Sequence, residues 1–168
     1  MAHLEQNPRD EATGPGWLPV AALTALVLLS VVPMPVGHGP LPDIVLISVY
    51  LACARPNAAV SPGAVFCLGL LQDLLGSTPF GLHALVYVLV HAAATQAAGL
   101  GRSIVVQWLG FLPCAIVGGA ASWAVISIHY TSLVSPDPIL SQTFASILAF
   151  PLVALPIQWA TGALRDES

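Results

Sequence analysis

The chain has 168 residues, of which 57% are hydrophobic and only 7% are charged, and its formal net charge is -4. A soluble domain has about 25% charged residues, so this composition and a mean hydropathy of +0.85 indicate a polytopic membrane protein. Spans of about 20 residues each leave room for six helices and exclude a sizeable domain outside the bilayer. Because the chain has no lysine and no basic patch, nucleic acid is not an expected partner.

Six apolar runs follow one another along the chain. They predict an all-α fold with six transmembrane helices over residues 17–35, 40–54, 59–75, 82–100, 104–130 and 138–164. Residues 1–16 are polar and are expected to form a disordered tail. Since this tail is net acidic, we interpret the first run as a membrane helix and not as a signal peptide. The transmembrane domain then covers residues 17–164, and residues 165–168 form a polar C-terminal tail.

The arginines predict the topology. In a six-span arrangement all four lie on one side of the membrane, in the two tails and in the second and fourth connections: Arg9, Arg55, Arg102 and Arg165. Positive residues mark the cytoplasmic side. We therefore expect a multi-pass inner-membrane protein with both termini in the cytoplasm.

Two ionisable residues flank the connection between the third and fourth predicted helices. Asp73 lies one turn before this connection and His83 lies just after it. Since so short a connection makes the two helices neighbours, both side chains should meet at the outer face. A bilayer makes such groups costly, so Asp73 needs partners, and His83 and the N–H groups of the turn and of the fourth helix are the nearest. Gly69 shares a face with Asp73 and allows another helix to approach closely.

Asp43 opens the second predicted helix at the same outer face, and two interpretations remain open for it. It caps free N–H groups of the first turn, or it joins Asp73 and His83 in a polar cluster that serves recognition. The fourth predicted helix also carries a polar stripe at four-residue intervals, which should face the protein interior. Interhelical hydrogen bonding and a proton relay are the two interpretations of this stripe, which consists of His83, Tyr87, His91 and Thr95.

Little in the sequence indicates enzymatic chemistry. No phosphate-binding loop, Rossmann fingerprint or metalloprotease motif is present. A hydrolase built from Ser77, His83 and Asp73 would lack an evident oxyanion helix. The cysteines have no metal-ligand spacing, so neither a metal nor a cofactor is expected. We expect them to be buried free thiols: Cys53, Cys67 and Cys114.

Residues 69–76, GLLQDLLG, and residues 79–85, PFGLHAL, resemble the signature hairpin of the rod shape-determining protein MreD family. Phe80 stands where leucine is usual, and Gln72 is more polar than most members have there. The Pro-Asp pair at 42–43 and the Arg-Pro pair at 55–56 also fit the family. The resemblance covers roughly residues 40–91.

The resemblance implies a non-enzymatic scaffold of the bacterial cell-elongation machinery, which synthesises peptidoglycan. The implied partner is MreC, a single-span protein with a large outer domain, and beyond it MreB, a RodA-type glycosyltransferase and a transpeptidase. The family is also similar in fold to the substrate-binding subunits of energy-coupling-factor transporters. A transporter subunit that binds a small molecule or a lipid is therefore the alternative. The candidate structural or partner-binding residues are Asp43, Gly69, Asp73, Gly76, Pro79, Gly81 and His83.

Overall fold

The computed structural model describes residues 17–30, 41–55, 60–76, 78–98 and 103–166, with side chains as far as Gln158. Within these ranges the chain forms six α-helices and no strand, which confirms the all-α fold class. The predicted tail over 1–16, Arg9, Arg102 and Ser77 lie outside the described residues. The helices are α1 (Leu18–Ser30), α2 (Ile44–Cys53), α3 (Pro62–Gly76), α4 (Leu82–Ala97), α5 (Ile104–His129) and α6 (Asp137–Asp166).

The helix bounds differ from the predicted runs, most clearly in α2, α3 and α6. α2 begins at Ile44, so residues 41–43 are not helical as the predicted run over 40–54 had them. α3 begins at Pro62 and not at residue 59, because proline suits the first helical position, where its missing N–H would have no partner. α6 continues to Asp166, so residues 165 and 166 belong to a helix and not to a polar tail.

Two of the described helices, α5 and α6, are long and apolar enough to span a membrane. The spanning segments are Ile104–His129, with 26 residues, and Asp137–Gln158, with 22 residues. At about 1.5 Å per residue, each exceeds the roughly 30 Å of a hydrocarbon core. The helices α1 to α4 are apolar but have only 13, 10, 15 and 16 residues.

α2 lies at the centre of the bundle, buried along most of its length, and packs against α1, α4 and α6. Around it, α3 packs on α4, α4 on α5 and α5 on α6. Three buried rings, Tyr50, Phe111 and Phe150, join α2 to α5 and α6, with centroids 4.8 to 5.9 Å apart. These spacings are those of favourable aromatic pairs, so the rings fix α2 against the two long helices.

Two expectations about burial are wrong. Thr95 of α4 is exposed, and its hydroxyl donates to the carbonyl oxygen of His91 in the same helix at 3.0 Å. Cys67 of α3 is exposed, whereas the other two cysteines are buried. Neither exposure could be predicted, because a nearly uniform apolar run does not reveal which helix face is buried.

Candidate functional site at the α3–α4 turn

The carboxylate of Asp73 lies between the end of α3 and the start of α4, and its side chain is 0% exposed. It accepts hydrogen bonds from the backbone N–H groups of Gly81 at 2.8 Å and His83 at 3.0 Å. It also accepts one from the Thr78 hydroxyl at 3.0 Å, and Nδ1 of His83 lies 2.7 Å from its Oδ1. The partners expected from the short connection are thus confirmed, and one carboxylate holds the turn and the first turn of α4 together.

The turn residues explain why this carboxylate is needed. Gly81 adopts a left-handed conformation with a φ of 93°, which glycine tolerates and residues with a Cβ disfavour. It occupies the N-cap position of α4 but has no side chain to cap the helix. The free N–H groups of a helix N-terminus need acceptors, and Asp73 supplies one from the neighbouring helix. The carbonyl of Pro79 accepts the N–H of Leu82 at 3.1 Å and closes the turn.

Gly69 lies where α3 packs tightly against the backbone of α4. A Cβ at this position would overlap the backbone of Ala84 and would lie 2.6 Å from the carbonyl carbon of His83. The predicted close helix approach is therefore confirmed, and it occurs one helical turn before Asp73. Gly76, the last residue of α3, has no such close contact. A Cβ there would meet nothing closer than the Thr78 side chain at 3.9 Å.

The first three residues of the polar stripe of α4, but not Thr95, contact α3 and the segment before it. The hydroxyl of Tyr87 donates to Oε1 of Gln72, and the Tyr87 ring lies against His83 with centroids 5.9 Å apart. Nε2 of His91 lies 3.1 Å from the carbonyl oxygen of Val60. These contacts favour the interhelical hydrogen-bonding interpretation. Gln72, which is more polar than the resemblance would suggest, is the partner of the buried Tyr87.

Asp43 is the N-cap of α2, as one of its two interpretations proposed. Its Oδ1 accepts the N–H of Leu46 at 2.9 Å, and its own N–H donates to Oγ of Ser146 at 2.8 Å. Ser146 is buried and donates in turn to the carbonyl oxygen of Gln142 at 2.8 Å. Sequence reasoning missed Ser146, although a single hydroxyl in the apolar run FASILAF was a usable signal.

A cavity of about 210 Å³ lies between α2, α4, α5 and α6, beside the α3–α4 turn. We call it the Asp43 cavity, because Asp43 lines one wall and His83 lines another. The structure thus brings together two of the three residues that the cluster interpretation placed at one face, whereas Asp73 does not line the cavity. Further polar residues of its lining come from the turn, α5 and α6: Thr78, Ser122, Gln142, Thr143 and Ser146. A second cavity of about 370 Å³ between α4 and α5 is apolar except for Gln96.

Among the described residues, no group of three or more His, Cys, Asp and Glu side chains lies together as a metal site would require. The Asp73 carboxylate is already occupied by hydrogen bonds, and Ser77 of the considered hydrolase lies outside the described residues. No protein-family model matches the chain, and no curated protein and no solved structure matches it.

Proposed function

We propose that this chain is a non-enzymatic scaffold of the bacterial cell-elongation machinery, similar to MreD, and that it binds MreC. The observation that carries the proposal is the occupied carboxylate of Asp73, which holds the α3–α4 turn in one shape. A fixed turn presents a defined surface to a partner, and Phe80 at its tip is 74% exposed. The resemblance of residues 69–85 to the MreD hairpin supports the same conclusion.

The proposal places the chain in the inner membrane with six spans and both termini in the cytoplasm. Only 22% and 17% of the spanning segments of α5 and α6 are buried, whereas an apolar helix of a soluble protein is mostly buried in its core. Apolar faces of this extent need lipid or protein cover. The shorter α3 and α4 cover roughly 22 to 24 Å, and a bilayer thins locally around short spans at modest cost.

The alternative is a membrane transporter subunit that binds a small molecule or a lipid. The two cavities favour it, since small ligands occupy concave sites lined by apolar groups with a few polar ones. Of the two, the Asp43 cavity offers the polar groups and the cavity between α4 and α5 offers the apolar wall.

A reporter experiment tests the topology. A reporter fused after Ser168 is expected to be active only in the cytoplasm, and one inserted beside Pro136 only outside, because all four arginines then lie on the cytoplasmic side. The measurement is the activity of paired reporters that work on opposite sides of the membrane. A C-terminal fusion that is active outside would contradict the six-span arrangement.

Depletion in the host tests the function. Rod-shaped cells are expected to become wide and rounded, and affinity-tagged protein is expected to capture MreC from solubilised membranes. The matched control is Asp137→Ala, which removes an exposed carboxylate at the start of α6. Cells that produce only this variant should stay rod-shaped, and the variant should still capture MreC. Normal cell shape together with loss of uptake of one nutrient would instead support the transporter alternative.

A further inference from the structure

The two carboxylates beside the Asp43 cavity, those of Asp73 and Asp43, differ in the number of hydrogen-bond donors that they face. A carboxylate has about four acceptor sites. Asp73 faces three donors of the turn and of the backbone of α4, and the His83 ring as well. Asp43 faces only N–H groups of the first turn of α2, those of Val45 and Leu46, among the described residues. Asp43 therefore keeps acceptor capacity on a wall of the cavity.

The charge of Asp43 is not fully balanced inside the cavity. The ring of His83 interacts electrostatically with Asp43 but also lies 2.7 Å from the carboxylate of Asp73, so at most one imidazolium faces two carboxylates. The described lining includes no lysine and no arginine, and Arg55 follows the opposite end of α2. A carboxylate withdrawn from water is costly unless a positive group or several donors compensate it.

The size and the walls of the cavity restrict what could compensate this charge. A volume of about 210 Å³ is somewhat larger than the roughly 150 Å³ of an engineered cavity that binds benzene. It suits a small amine or the end of one side chain, but not a nucleotide-sized cofactor. The hydroxyls of Ser122 and Thr143 and the amide of Gln142 line the same space and offer acceptors for further N–H groups.

We propose that the Asp43 cavity binds a cationic group, an ammonium or a guanidinium, which pairs with the carboxylate of Asp43. The group comes either from a free amine or from a lysine or arginine side chain of a partner protein. Charge-assisted hydrogen bonds are about twice as strong as neutral ones, so the cavity selects a cation over a neutral group of the same shape. This inference does not depend on the scaffold function.

Titration of the full chain in lipid nanodiscs tests the cavity, with n-butylammonium as the probe and ligand-observed NMR as the measurement. Asp43→Asn removes the charge but keeps the cap, because asparagine caps helices as well as aspartate does. We expect this variant to bind n-butylammonium at least about tenfold more weakly, and we expect n-butanol, the neutral analogue, to bind wild type no better than it binds the variant.

Two further variants keep the test decisive. Ser122→Leu fills the cavity without changing its charge and is also expected to abolish binding, whereas Asp137→Asn removes an exposed carboxylate elsewhere and should leave it unchanged. Equal binding of n-butylammonium by wild type and by Asp43→Asn at matched thermal stability would overturn the proposal. So would equal binding of n-butanol and n-butylammonium by wild type.

A competition experiment identifies the source of the cation. If n-butylammonium releases MreC from wild type, the cation is a basic side chain of that partner. If the probe binds and MreC stays bound, the cation is a free amine. Failure of wild type to capture MreC in the absence of the probe would contradict the scaffold function alone, since the nanodisc titration does not involve MreC.

Discussion

Replacing Asp73 with alanine is expected to lower the free energy of unfolding by about 3 kcal/mol, because several donors lose their acceptor and each buried group left unpaired costs about 1–3 kcal/mol. The change leaves the N–H groups of Gly81 and His83 and the hydroxyl of Thr78 without their acceptor. Because these groups hold the start of α4 against α3, both the turn and the end of α3 should loosen. Thermal and denaturant unfolding in detergent measure the loss.

Two other carboxylates serve as controls for Asp73→Ala. Asp43→Ala should cost only about 1 kcal/mol, the usual value of an N-cap, since Oδ1 of Asp43 accepts the N–H of Leu46. Asp137→Ala should cost less than about 0.5 kcal/mol, because the residue is exposed. If Asp73→Ala unfolds like Asp137→Ala, the carboxylate does not hold the turn, and the observation that carries the scaffold proposal is lost.

Asp73→Asn separates charge from shape at the same position. Asparagine keeps one acceptor oxygen but turns an N–H₂ group toward donors that need acceptors. A loss of stability smaller than that of alanine is therefore expected, together with weaker capture of MreC under the proposed function. Capture that weakens while stability stays that of wild type would show that the turn itself contacts the partner.

The contacts of the α3–α4 turn could be predicted because they are local. Asp73 and His83 are separated by a connection too short to carry them apart, and Gly69 lies one turn earlier on the same helix face. Each of these predictions needed only chain geometry and one helical period.

The Asp43 cavity could not be predicted, because it depends on which helices pack around α2. The contact between Asp43 and Ser146 joins residues 103 positions apart, and no hydrophobic periodicity distinguishes the faces of α6, whose core positions and exposed positions are both apolar. The exposure of Cys67 in α3 could not be predicted for the same reason. In such helices only isolated polar residues and glycines indicate which face of the helix packs against a neighbouring helix.

Gly69→Ala is expected to destabilise the fold by about 3 kcal/mol, the upper part of the usual range for overpacking. The added methyl group would overlap backbone atoms of His83 and Ala84. Backbone atoms of a helix cannot move aside as the end of a side chain can, so α3 and α4 must separate. Gly63→Ala on the same helix is the matched control, because a Cβ there would meet only Oγ of Ser61, at 4.0 Å.

The control should be neutral or slightly stabilising, since alanine is favoured over glycine in helices by about 0.5–1 kcal/mol. A double-mutant cycle then tests whether the glycine and the carboxylate act as one unit. If the methyl group at position 69 moves α4 away, it already lengthens the hydrogen bonds from Asp73 to His83. The combined loss in Gly69→Ala with Asp73→Ala should therefore fall short of the sum of the single losses by at least about 1 kcal/mol. Additive losses would mean that α4 keeps its place and that the close contact at Gly69 and the carboxylate of Asp73 stabilise the hairpin independently.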